Sequence, residues 1–129
     1  MAKNRQCGTG RRKTAIARVF MKSGKGKILV NGKEYTEYFP LAILQSLIEA
    51  PIAISEKEDQ DYFINVKGGG VHAQATAARL ALARALVKEN ELLRAPFKEK
   101  GFLTRDPRKR ERKKYGLAGA RRSFQFSKR

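Results

Sequence analysis

Histidine and cysteine occur once each in the 129 residues, as His72 and Cys7, and tryptophan is absent. A lone cysteine leaves no disulfide framework and no thiolate cluster, which fits a reducing compartment. One histidine and one distant cysteine make a nucleophile pair only by accident. Acids are scarce too: 12 Asp and Glu stand against 29 Lys and Arg, a formal net charge of +17. The single acidic cluster, Glu56, Glu58, Asp59 and Asp61, lacks calcium-loop spacing and contains Lys57, so it reads as a solvated connection. Neither a metal nor a cofactor is expected. No run reaches the ~18 apolar residues that cross a bilayer, and the opening MAKNRQC lacks a signal peptide's apolar core. The expectation is a soluble protein that stays where it is made. The 41% hydrophobic content builds one modest core and not two.

The excess charge is unevenly placed. Residues 1–27 carry a net +9, residues 28–97 a net −2 and residues 98–129 a net +10. Solubility calls for a net charge of only about 2 to 8. A near-neutral middle therefore folds without self-repulsion, while two cationic ends wait for an anionic partner. The division expected is a flexible basic arm over 1–10, a globular domain over 11–101 and an extended basic tail over 102–129.

Within the middle, residues 14–21 alternate as a strand with both faces partly covered, residues 23–27 turn, and residues 28–30 return as the second strand of a hairpin. Asn31-Gly32 marks another tight turn, and residues 34–38 offer a short edge. Pro40 suits a helix's first turn, Leu41, Leu44, Leu47 and Ile48 form its stripe, and Pro51 limits it. Tyr62, Ile64 and Val66 face one way on a third main strand. Gly68, Gly69 and Gly70 interrupt that strand, and the alanine-rich residues 72–88 predict a helix lying close on a sheet. Asn90 caps a further short helix over 91–100 that Pro96 weakens. Asp106-Pro107 resembles a cap and first helical position, so residues 105–115 predict a helix charged on every side, forming only against phosphates.

The strongest functional signal lies in the two ends. Arg11, Arg12 and Lys13 follow Gly8 and Gly10, so flexible backbone presents three adjacent cations. Arg105, Arg108, Lys109, Arg110, Arg112, Lys113 and Lys114 crowd the first half of the tail, and Arg121 and Arg122 follow Gly119. Arginine forks bind phosphates bidentately, and Phe124 and Phe126 offer stacking surfaces for unpaired bases. No apolar face accompanies the charge, so no membrane partner is expected. Gly68 to Gly70 lack the Lys-Ser/Thr ending of a phosphate loop and read first as a structural corner. Arg79 and Arg84 serve either RNA or the helix's solvated face.

GTGRRKTAIARV from Gly8, GGG from Gly68 followed by QATAARLALARAL, and GFLTRDPRKRERKKYGLAGARRSFQFSKR from Gly101 resemble the bacterial-type small-subunit ribosomal protein nine family over nearly the whole chain. The resemblance implies an α+β fold: a two-layer sandwich of the ribosomal-protein-five domain-two-like type with a left-handed βαβ crossover, plus a long basic C-terminal extension. It implies a cytoplasmic, ribosome-bound, non-enzymatic protein that binds small-subunit rRNA in the head, beside other head proteins including protein seven. Ser127, Lys128 and Arg129 match the residues that approach the anticodon stem-loop of P-site tRNA. The rRNA contacts fall to the cations of the two ends named above. Where the family usually has Ser-Gly after the three glycines, this chain has His72-Ala73. Two rivals stand beside this reading: a free RNA chaperone, and, because the fold the resemblance implies is also used by some small-molecule kinases, a nucleotide-binding enzyme of the same fold.

Overall fold

A computed structural model describes residues 6–127. Five strands form one mixed sheet in the order β1-β2-β5-β3-β4, with β1 Gln6–Arg12, β2 Ala15–Ser23, β3 Ile28–Val30, β4 Lys33–Glu34 and β5 Gln60–Lys67. Every pairing is antiparallel except that of β3 with β5. The helical elements are the single turn α1 Tyr35–Tyr38, α2 Ala42–Ser55, α3 Val71–Glu89 and α4 Arg94–Lys100, with a 3-10 turn at Glu91–Leu93. This is the mixed α+β arrangement expected.

Period-two alternation explains the sheet. Ala15, Ala17, Val19 and Met21 of β2, with Tyr62, Ile64 and Val66 of β5, are buried under α3, while the residues between them point to the opposite face. Eleven buried residues make α3 a central element rather than a surface one, and seven of them are alanine. Its small side chains bring its backbone close to β1 and β2.

That closeness corrects the reading of the N-terminal segment. Residues 6–10 belong to an edge strand, not to a flexible arm. A Cβ on Gly8 would lie 2.2 Å from the Ala81 carbonyl oxygen, and one on Gly10 would lie 2.1 Å from that of Ala77. These glycines remove side chains so that strand and helix can touch; they do not supply the flexibility that their spacing suggests. β1 and β2 then meet through the two-residue turn Lys13-Thr14, with Lys13 at φ 53°.

The β2–β3 hairpin is a second correction, because β5 lies between the two strands. The Asp61 carboxylate accepts the backbone N–H groups of Lys25, Gly26 and Lys27 at 3.0, 3.1 and 2.9 Å, and Gly24 N–H donates to the Asp59 carbonyl. The turn thus wraps around the start of β5 and delivers β3 to its far side. Residues 35–38 form α1 instead of continuing an edge.

The two prolines expected to limit or weaken helices, Pro51 and Pro96, behave more mildly than expected. Pro51 is buried inside α2, which runs on to Ser55 and closes at Glu56 with φ 54°. Pro96 falls in the first turn of α4, where a missing N–H leaves no helical bond unmade. The Asn90 side chain does cap, accepting the Leu92 N–H at 3.1 Å.

From Gly101 to Ser127 there is neither helix nor strand. The domain edge expected at residue 101 lies later, since Phe102 and Leu103 pack against the core.

Candidate nucleic-acid interface

The β1–β2 turn, the N-terminal half of α3 and the root of the tail enclose a cleft of about 300 Å³ lined by Arg11, Arg12, His72, Thr76, Arg79, Phe102, Asp106 and Arg108, with apolar Ile43, Leu47 and Leu80. The guanidinium groups of Arg12, Arg79 and Arg108 share it with one carboxylate. A larger groove of about 540 Å³ lies beside the end of α2, but Glu49, Glu56 and Glu58 face Lys57 alone there, the wrong sign for phosphate.

Alternation along β1 turns Arg12 inward. Its Nη1 donates to Thr76 Oγ1 at 2.8 Å, its Nη2 lies 3.6 Å from the Asp106 carboxylate, and its Nε is buried without a hydrogen-bond partner among the described residues. Arg79, half-buried, stacks its guanidinium 5.3 Å from the Phe102 ring centroid. Burial, with the charge of Arg12 adding to it, lowers the pKa of Arg79. An anion entering this cleft would offset the repulsion between Arg12 and Arg79.

Asp106 is the hinge of the arrangement. It accepts the Arg108 Nε and Nη2 groups at 3.0 and 2.7 Å and the Arg108 backbone N–H at 3.0 Å. The side-chain bonds from Arg108, then the backbone bond, hold its carboxyl well below the usual carboxylate range, and Asp106 in turn raises Arg108. The cap-like geometry expected of Asp106 is therefore present, but it closes an isolated turn because no helix follows. Residues 105–115 would place seven cations on one helix, and among the described residues Asp106 and Glu111 pair with only Arg108 and Lys114 of them.

The remaining cations named from sequence are dispersed. Arg11 is exposed beside Arg12, and Lys13 occupies the turn, so the three do not share one face. Arg105, Lys109, Arg110, Arg112 and Lys113 are exposed. Lys114 and Arg121 both pair with Glu111, the latter at 3.2 Å, and Ala118 N–H donates to the Arg122 carbonyl at 2.8 Å, which folds residues 111–122 into a loop. Tyr115 and Phe126 are 98% and 88% exposed, and Phe124 and Ser127 are exposed as well. Lys128 and Arg129 lie outside the described residues.

Two cations have structural partners that the sequence left open. Arg84 Nη1 donates to the Thr9 carbonyl at 2.8 Å and Lys88 Nζ to the Cys7 carbonyl at 3.0 Å, so α3 caps the unpaired edge of β1. These bonds also separate Cys7 from His72, because roughly 24 Å of helix lies between His72 and Lys88 at 1.5 Å per residue. A Cys-His pair is ruled out by that geometry.

The glycine corner packs against the β1–β2 turn. Gly68 and Gly69 adopt φ 76° and 65°, and a Cβ on Gly68 would lie 2.6 Å from the Thr14 carbonyl oxygen. Protein atoms thus sit against the corner that a phosphate loop would keep open. Among the described residues, no three His, Cys, Asp or Glu side chains come together to hold a metal, and no helix is long and apolar enough to cross a membrane. Compared with known families, residues 10–129 match the family described as ribosomal protein S9/S16.

Proposed function

The chain belongs to the ribosomal protein S9/S16 family, of the small-subunit type, and from that premise we propose that it binds small-subunit rRNA through the arginine cleft and the tail that leaves it. The observation that carries the proposal is the cleft itself: Arg12 and Arg108 meet Asp106, with Arg79 on Phe102 lining the same cleft, at the root of an exposed, cation-rich extension. A phosphate that replaces Asp106 in the cleft gains bidentate partners and frees the tail root to follow the RNA. Lys109, Arg110, Arg112 and Lys113 then track further phosphates. Arg105, Lys13 and Arg122 add to the same field, as do Lys114 and Arg121 on leaving Glu111.

In this proposal the tail ends at P-site tRNA, where Ser127, Lys128 and Arg129 neutralise phosphates of the anticodon stem-loop without proton transfer. Its neighbours are head proteins, protein seven among them. The left-handed crossover implied by the resemblance falls to the connection between parallel β3 and β5, through α2. The role in this reading is structural rather than enzymatic, and packing of Thr14 against Gly68 supports it over a nucleotide-binding enzyme.

Sedimentation of cell extract tests the ribosomal role: the chain travels with small subunits in moderate salt, whereas a free RNA chaperone stays near the top of the gradient. Deleting Lys128 and Arg129 is expected to weaken P-site tRNA retention while leaving incorporation into subunits intact. Unchanged tRNA affinity in purified subunits contradicts the tRNA role.

A further inference from the structure

The sheet has a second face, turned away from α3, which the cleft touches only at Arg11. Its side chains fall in rows set by the strand register. Phe20 of β2 stands opposite Phe63 of β5, and the next row along the same face places Arg18 opposite Asn65. A further row pairs Ile16 with Lys67, and on the other side of the aromatic row Lys22 lies opposite Asp61. Rows on one face are about 6.6–6.8 Å apart, two residues along each strand.

Phe63 and Ile16 keep 38% and 39% of their surface exposed, and Phe20 is half-buried. Two aromatic rings in register at the centre of a sheet ordinarily belong to a core, yet the helices pack on the opposite side. The charge around them is mainly positive: Arg18, Lys22 and Lys67 are exposed, Asp61 is already engaged by three backbone N–H groups, and the one further carboxylate in the described rows, Glu34, stands two strands from Phe63, beyond Leu29.

We propose that this face is a second RNA site, which takes single-stranded rather than helical RNA by stacking a base on Phe20 and Phe63 while Arg18 and Lys67 hold the flanking phosphates. Unpaired bases offer flat apolar faces to aromatic rings, whereas bases inside a helix are already stacked on one another. Asn65, between the rings and Lys67, supplies a donor and an acceptor toward the edge of the stacked base. The proposal rests on the RNA-binding reading above and assigns to the sheet a ligand that the cleft and tail do not select.

The test is titration of the full-length protein with a fluorescent single-stranded RNA and with an RNA duplex of equal charge, at several salt concentrations. Phe20→Ala/Phe63→Ala is expected to weaken single-strand binding about 10- to 100-fold, with duplex binding and salt slope unchanged. Phe20→Tyr/Phe63→Tyr, which preserves stacking and packing, is expected to bind as the parent does. Arg18→Gln/Lys67→Gln should lower the salt slope for the single strand. Equal single-strand affinity in the alanine variant and the parent overturns the sheet site while the RNA reading stands. Failure of the parent to bind either RNA overturns both. Retained RNA affinity with loss of co-sedimentation would make the face a protein-docking surface and overturn the proposal.

Discussion

Gly10 and Asp61 show how single residues decide this fold. A methyl group on Gly10 meets the backbone of α3, which cannot rotate aside as a side chain would. Gly10→Ala is therefore expected to destabilise the domain by about 1–3 kcal/mol in urea denaturation, the range of an overpacked core; an unchanged midpoint would contradict the close approach. Asp61 acts through charge. Backbone hydrogen bonds, that of Lys27 foremost, lower its folded pKa beneath the unfolded value of about 3.9. Its contribution is thus present above pH ~3.9 and lost as pH falls through the folded value. Asp61→Asn should be less stable than the parent at pH 7, with the gap narrowing below pH ~3.9; a gap constant down to pH 2 would contradict the role. Neither residue's task is legible in the sequence. Gly10 resembles any loop glycine, and Asp61 sits among acids that are solvated, whereas its partners are N–H groups in another part of the chain.

Elements with a strong local signal are legible in the sequence. The alternation of β2 and β5 and the alanines of α3 predict their faces, because one buried side writes a period into the sequence. Elements defined by distant partners are not. β1 has no apolar stripe, since its inward positions are Gly8, Gly10 and Arg12, and three-residue β3 does not reveal which neighbour it pairs with. In the proposed binding site, the cationic runs stand out, but the cleft that gathers Arg12, Arg79 and Arg108 depends on α3 and the tail root meeting in space. Phe102 secures that meeting, with its ring 5.9 Å from Phe97 and under the Arg79 guanidinium. Because Phe102 is only half-buried, Phe102→Ala is expected to cost about 1–2 kcal/mol in thermal or chemical unfolding. RNA affinity should fall as the cleft loses its wall, and full affinity in that variant would contradict the cleft's part in binding.

Across the whole molecule, a near-neutral domain supports a tail whose cations the described acids pair only in part. The acids that touch the tail's cations, Asp106 and Glu111, bind Arg108, Lys114 and Arg121 and leave Lys109, Arg110, Arg112 and Lys113 exposed to solvent. Such a surface gives affinity through counterion release, so the proposed binding to small-subunit rRNA is expected to weaken steeply as salt rises. The slope of log affinity against log salt, compared between the full-length protein and Lys109→Gln/Arg110→Gln/Arg112→Gln/Lys113→Gln, measures this directly. The variant's slope is expected to be shallower by about 0.7 to 0.9 for each phosphate that its glutamines leave unneutralised. Identical slopes for the two proteins would show that these cations do not meet phosphate and would contradict the account.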